Sequence, residues 1–365
     1  MLIVSSCGLV TQVVHIPTLN HLSQLFQITH LSDVSEDAMR HSQAKVAGDA
    51  RPKMARNVEE LCNASDVDVV LLASMHPFHA SQAALALRAG KHVFNEKPIA
   101  LTLQDTEFII EAEKKAGGAK VFIGYMRRYA AAFEDAIKEV QSIGPIRYAR
   151  VRDIIGPNSV FVGQSGTFPR TFDDYSQEDS EELRTKTEEN VHQALQVELG
   201  VKVTKQTDMM WQTLSMLGSH DLSAMREILG MPQGVVGFSP CATTGSPFWS
   251  AIFQYPGFAV AYESGVDQVA RFDASIEIFG DTKTVKVCID TPFVKGLPTT
   301  MVVKDALPDG SYRESTIRRT YEDPFTRELK EVYAWVVDGK VPKTGPADAR
   351  QDLEVLGMLM KAIAN

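Results

Sequence analysis

The stretch LLASMHPFHASQAALALRAGKHVFNEKPIA, residues 71–100, decides the fold. It opens on the end of an apolar run, VDVVLLAS (67–74), crosses a helical segment at 77–89, and returns through a second β-rich run, KHVFNEK (91–97). Two buried strands joined by a helix make a parallel βαβ unit. The second strand then leaves the core through Glu96-Lys97-Pro98, two charges and an imino acid. In a doubly wound sheet, ligands bind beyond the carboxyl ends of the strands, which is where these three residues fall.

The pattern repeats on either side. LIVSS (2–6), QITHLSD (27–33) and KVFIGYM (120–126) are further β-rich runs. Helical patterns occupy 17–25, 36–45, and the stretch from Thr102, an expected N-cap, to the stop at Gly117-Gly118. Residues 1–126 therefore read as an α/β Rossmann domain with a doubly wound parallel sheet. From about residue 140 the runs become longer and richer in β-branched and aromatic residues: IRYARVRDII, GVVGFSP, WSAIFQY, FAVAYESG, ASIEIFG and TVKVCI. They predict an open, mostly antiparallel sheet in an α+β domain over 127–345, covered by helices at 209–229 and 324–338, with a final helix in 346–365 packing back on the protein. Alternation in this sheet leaves apolar positions for a second covered face, the expected surface for a homodimer or homotetramer. A polar insert at about 160–208, containing DDYSQEDSEELRTKTEEN, reads as a solvated surface segment or an acidic partner-binding element.

Bulk properties narrow the function classes. A chain of 365 residues with 44% hydrophobic and 23% charged residues has material for two cores. A formal charge of -9 offers no basic field for a nucleic-acid backbone. Cys7, Cys62, Cys241 and Cys288 have neither CxxC nor Cys/His ligand spacing, so no disulfide framework or metal site is expected. The N-terminus lacks a cationic n-region and the apolar runs are too short for a membrane span, so the cytoplasm is the expected location.

After the first strand comes a turn, Ser6-Cys7-Gly8-Leu9-Val10-Thr11, which keeps only the middle glycine of GxGxxG. Such a turn lets backbone N–H groups at a helix N-terminus approach a pyrophosphate. Asp33 closes the second strand, where a carboxylate accepts from adenosine ribose hydroxyls; it also suits a helix cap. Val34 follows it, with no arginine to receive a 2'-phosphate, which favours NAD over NADP.

The quoted stretch, with VFIGYMRRY (121–129), resembles the glucose-fructose oxidoreductase, inositol dehydrogenase and rhizopine-catabolism family (Gfo/Idh/MocA). CGLVTQVVHIPTL resembles its first turn and helix, GSHDLSAMREILG its substrate-side helix, and DPFTRELKEVYAWVVDGKVP its late helix. The resemblance implies a dinucleotide held by Ser6, Gly8, Leu9, Val10, Asp33, Ser74, His76, His79, Glu96 and Lys97, and a cis bond before Pro98. It implies two catalytic groups: Lys97, whose cation stabilises a developing alkoxide, and His220, whose imidazole takes the hydroxyl proton. Tyr125, Arg127, Arg128 and Met216 are carried over as candidate substrate contacts, the two arginines serving equally well as ion-pair partners within the protein.

One departure matters. The family pattern often has an aspartate four residues before the histidine, and this chain has Met216; Asp221 points about 100° away and substitutes poorly. The implied activity is NAD-dependent oxidation of a hydroxyl-bearing carbon in a sugar, polyol or related small molecule. Two alternatives stand beside it: use of NAD for elimination, hydrolysis or isomerisation without net oxidation, and dinucleotide binding by a non-catalytic regulator.

Overall fold

The computed structural model describes residues 2–49, 51–241 and 247–364. They form two compact units, one of Met1–Gly124, Gly166–Val203 and Leu329–Leu353, the other of Tyr125–Ser165, Thr204–Glu328 and Glu354–Asn365.

The first unit is built on β1 (Leu2–Ser5), α1 (Ile16–His21), β2 (Ile28–Ser32), α2 (Glu36–Gln43), β3 (Lys53–Ala55), α3 (Val58–Cys62), β4 (Val69–Leu72), α4 (His79–Arg88), β5 (His92–Glu96), α5 (Leu103–Lys115) and β6 (Val121–Gly124). The strands form one parallel sheet in the order β3-β2-β1-β4-β5-β6, which reverses direction between β1 and β4. Every residue of β4 and β6 is buried, as expected for strands covered on both faces. Phe94 stacks on Phe122 at 5.6 Å, and Trp335, from later in the chain, packs 5.8 Å from Phe122. Thr102 caps α5 through the Asp105 amide, as its sequence context predicts. The sequence did not reveal β3 and α3; the former is a three-residue edge strand, too short to show alternation.

The chain continues through α6 (Ala131–Gln141), β7 (Tyr148–Ile155) and α7 (Asn158–Gly163) to α8 (Gln177–His192), the helix of the polar insert. Here the sequence boundaries need correction: residues 166–203 belong with the Rossmann unit, not with the second domain. Specific polar contacts hold them there, so hydropathy could not show it. Both oxygens of Glu198 accept from the first amides of α5, Leu103 N and Gln104 N, each at 2.9 Å. Asn190 donates to Asp105, and Lys186 lies 5.7 Å from the Phe78 ring. A Ser176/Asp179 capping box starts α8, whose outer face is solvated.

The second unit contains α9 (Lys205–Thr213), a π-helical turn at Leu214–Gly218, and α10 (Ser219–Leu229), where one uninterrupted helix was expected. The strands β8 (Gly234–Cys241), β9 (Phe248–Tyr255), β10 (Phe258–Val266), β11 (Phe272–Phe279), β12 (Lys283–Ile289), β13 (Thr300–Ala306) and β14 (Tyr312–Ile317) join β7 in an eight-stranded sheet ordered β14-β13-β12-β11-β7-β10-β9-β8. All its pairings are antiparallel except β7 with β10. The unforeseen hairpin β13–β14 turns at Gly310, φ +85°, and most of β14 is exposed, so it lacks the alternation that marks a half-buried strand. The chain ends in α11 (Pro324–Asp338) and α12 (Pro346–Ala364), as read from sequence.

In β7, Ala149, Val151, Asp153 and Ile155 face the core; the opposite face carries Arg150 paired with Glu277, and Arg152 paired with Glu263 and Asp273. This charged ladder corrects the expectation of an apolar outer face. Among the described residues, no helix is long and apolar enough to cross a membrane.

The Glu198 contact predicts that Glu198→Ala, which strips two α5 amides of their acceptor, lowers the stability of the first unit by about 1–2 kcal/mol. Glu198→Gln retains one acceptor oxygen and loses less. Urea denaturation of both variants checks this; an unchanged midpoint for the alanine variant contradicts it.

Candidate active site

The turn after β1 is held by its own polar groups. Ser6, at φ +82°, occupies the left-handed region that glycine favours. Its amide donates to Ser32 O at 2.6 Å, and its carbonyl accepts from Thr11 Oγ1 at 2.8 Å. These bonds let a serine and a threonine replace the outer glycines of the motif. Gly8 and Leu9 lie exposed where the helix begins, with Val10 partly covered. A Cβ added at Gly8 would meet nothing nearer than Ser6 Oγ at 3.5 Å, so the protein's own packing does not require glycine there. The missing side chain instead keeps the turn open from outside. Burial pushes the Cys7 thiol up to about 12, so it packs as an apolar group.

Asp33 braces the same corner. One carboxylate oxygen accepts from Cys7 N at 2.6 Å and the other from Ser35 N at 2.9 Å. It is not the cap of α2; Ser35 is, accepting from Ala38 N. A carboxylate offers about four lone-pair sites, so Asp33 can still accept from a ribose diol. Val34 is exposed beside it. An open turn, backbone donors at a helix start and a carboxylate at the end of β2 together fit a dinucleotide.

At the end of β5 the Lys97-Pro98 bond is cis. Glu96 is buried and accepts from His15 Nε2 at 2.8 Å and from Lys97 N at 3.1 Å. Burial works against its charge, but the His15 bond and the nearby Lys97 cation outweigh it and hold the carboxyl below its ordinary pKa. His15 was not foreseen: it closes the π-helical turn Thr11–His15 that leads into α1, all of it buried, and nothing local in the sequence marks its partner. His79 is fully buried. Its Nε2 donates to Ser74 O at 3.0 Å, and its Nδ1 lies 2.9 Å from Pro98 O and 3.1 Å from Asn95 Nδ2. It thus ties the end of β4 to the turn after β5, with burial pushing its pKa down. Ser74 Oγ donates to Gln82 at 2.7 Å. His76 packs edge-on to His79, ring centroids 5.6 Å apart; burial first, then the nearby His79 and Lys97, push its pKa down to about 2. Lys97 is partly buried beside these groups.

In the second unit, His220 is the second residue of α10, partly buried, and Met216 is 49% exposed one turn before it. Asp221 faces the interior. Arg127 donates to both Asp221 and Asp153, all three buried. Burial and then the neighbouring Asp153 raise the Asp221 pKa, while Arg127 opposes them. Arg128 donates to Glu227 and to Ser223. Both guanidinium groups are therefore buried and engaged by residues of α10 and β7, and Tyr125 is buried too. The ion pairs that the sequence left open for the two arginines are thus formed, and they anchor the helix that bears His220. A Cβ at Gly218 would come within 3.0 Å of the Tyr262 hydroxyl, a measure of how closely that helix packs.

The His76 environment sets a pH dependence. In the folded state His76 stays neutral down to about pH 2, whereas the unfolded chain binds a proton below the ordinary 6.5. Stability is thus fully present above 6.5 and declines as pH falls toward 2, by at most about 1.4 kcal/mol per unit. His76→Asn should lose about 1–2 kcal/mol less than the parent between pH 8 and pH 5. Denaturation at the two pH values checks this, and equal losses contradict it.

Residues 4–125 match the model of the GFO_IDH_MocA oxidoreductase family, NAD-binding Rossmann fold. An inositol 2-dehydrogenase from Serratia proteamaculans is 37% identical over 134 residues, 36% of this chain and 38% of its own length. The curated relatives are thus matched over well under half of their length. Two solved structures share the fold: an oxidoreductase from Thermotoga maritima (22% identity, TM-score 0.70, covering 100% of this chain and 96% of that one) and a biliverdin reductase from Synechocystis sp. PCC 6803 in complex with biliverdin and NADP+ (17%, TM-score 0.68, 99% and 98%). Residues 4–125 thus form a domain of the Gfo/Idh/MocA oxidoreductase family, with its NAD-binding Rossmann fold.

Proposed function

We propose that the protein is an NAD-dependent dehydrogenase acting on a hydroxyl-bearing carbon of a sugar or polyol. One observation carries this reading: Glu96-Lys97-Pro98 leaves the carboxyl end of β5 in a domain whose sequence matches an NAD-binding oxidoreductase family. The matched relative's name points to cyclitols as the first substrates to try.

The roles follow from the chemistry of the side chains. Lys97 steadies the substrate oxygen and lowers the cost of alkoxide character. Glu96 is held by His15, so it fixes the strand end rather than moving protons. His220 accepts the hydroxyl proton. NAD, when bound along the turn after β1, supplies the acceptor for the two electrons leaving the carbinol carbon. We infer NAD over NADP from Asp33 and the exposed Val34, although a neighbour in fold carries NADP+. We also propose self-assembly through the eight-stranded sheet, with its charged ladder at the interface.

Met216 favours a second reading. With no carboxylate one turn before His220, the chain also suits transient oxidation within an elimination, hydrolysis or isomerisation. Incubation with NAD and a panel of polyols that includes myo-inositol distinguishes these readings: accumulating NADH supports net oxidation, product without NADH the second reading, and binding without product a non-catalytic regulator. For the dehydrogenase, Lys97→Ala should lower turnover roughly 100-fold or more with NAD affinity nearly intact. His220→Ala should cost about 100-fold to 10,000-fold and remove the rise of activity with pH near neutrality. Full activity in both variants would sink the assignment.

A further inference from the structure

The polar insert does more than pack on the Rossmann unit. Residues 167–174 run the length of α2, from its last turn to its first. Lys45, just past the C-terminal end of α2, donates to the carbonyls of Thr167 and Phe168. Phe172 packs on His41, ring centroids 5.5 Å apart. Arg170 is held by the side chain of Gln12, which donates to Arg170 O at 3.0 Å and accepts from Arg170 N at 2.9 Å while also donating to Cys7 O at 2.8 Å. The insert is thereby fastened to the turn after β1 and to α2 at once. The run along α2 ends at Asp174, whose carboxylate accepts from Ser35 Oγ and, at 3.0 Å, from Asp37 N.

That position has a consequence for the dinucleotide. The hydroxyl of Ser35 and the first amides of α2 follow directly on Asp33, the residue assigned to the adenosine ribose. A helix start with a hydroxyl beside it is a natural receiver for an anion. In this chain the anion already there is the chain's own. These donors hold the Asp174 carboxyl below its ordinary pKa, so it stays charged at neutral pH. A 2'-phosphate at the same corner would find its donors taken and would face two carboxylates, Asp33 and Asp174, with an apolar Val34 between Asp33 and Ser35. A ribose 2'-hydroxyl carries no charge and needs only an acceptor, which Asp33 provides.

We propose that Asp174, supplied by the insert, is a specificity-determining residue that excludes 2'-phosphorylated dinucleotides by occupying the N-terminus of α2. The proposal rests on the reading of the first unit as an NAD site and assigns to the insert a part of cofactor choice that the β2 terminus alone would otherwise carry. Removing the carboxylate frees two kinds of donor, the Ser35 hydroxyl and the α2 amide of Asp37, together with the space beside them.

The test is a binding titration, by tryptophan fluorescence or calorimetry, of NAD and NADP against the full chain and two variants. The parent should bind NAD at least 10-fold tighter than NADP. Asp174→Ala should narrow that ratio at least 10-fold, through tighter NADP binding, with NAD affinity changed less than about 3-fold. Asp174→Asn removes the charge yet keeps an acceptor for Asp37 N, so it should narrow the ratio less; it decides the matter alone if the alanine variant does not fold. An unchanged ratio in a folded variant overturns the proposal and leaves the NAD reading standing. Equal parental affinities for the two dinucleotides overturn it as well. A parent that binds neither overturns the dinucleotide reading itself.

Discussion

A carboxylate buried at the end of a strand must find donors or give up its charge, and Glu96 finds two. His15, on the helix that follows β1, and the Lys97 amide both donate to it. One interaction thereby joins the helical segment that follows the turn after β1 to the strand that ends just before Lys97. Removing the donor of such a buried hydrogen bond leaves the carboxylate short of a partner, at a cost of about 1–3 kcal/mol. His79 adds a second tie from the Ser74 carbonyl toward the Pro98 carbonyl, so the ends of β4 and β5 are braced by buried imidazoles on either side of the cis bond. Lys97 inherits its position from these groups.

The second unit solves a related problem with the charges reversed. Arg127 is a buried cation that must be neutralised, and Asp153 on β7 and Asp221 on α10 share it. The residue next to Asp221 is His220. Sequence spacing identifies Asp221 as badly placed to assist that histidine, and the structure shows its actual use: it fixes the helix from the inside while His220 takes a different face. Arg128 repeats the arrangement with Glu227.

What the sequence conveyed and what it withheld divide along physical lines. Periodicity and caps marked the parallel sheet, Thr102 as an N-cap, and α11 and α12 to the residue, because burial leaves a repeating pattern. The cis bond at Pro98 followed from the family motif. The short edge strand β3, the exposed hairpin strand β14 and the π-helical turn before α10 have no such pattern. The insert was misassigned for a deeper reason: its attachment to the first unit depends on single polar side chains, Gln12, Ser35, Asp105 and Glu198, whose partners lie about 85 to 160 residues away in the chain. Long-range hydrogen bonds between polar residues leave no trace in hydropathy. The pairing of His15 with Glu96 was hidden for the same reason.

If the open turn after β1 admits a dinucleotide, a side chain placed at Gly8 must obstruct it. Since a Cβ there meets the protein only at ordinary contact distance, Gly8→Val should leave the fold intact and obstruct only what approaches from outside. Titration of NAD into the parent and this variant, with thermal unfolding of both in its absence, is the decisive measurement. The account predicts equal thermal midpoints, saturable binding by the parent and at least 10-fold weaker binding by the variant. Undiminished NAD binding by Gly8→Val, or no binding by the parent, contradicts it.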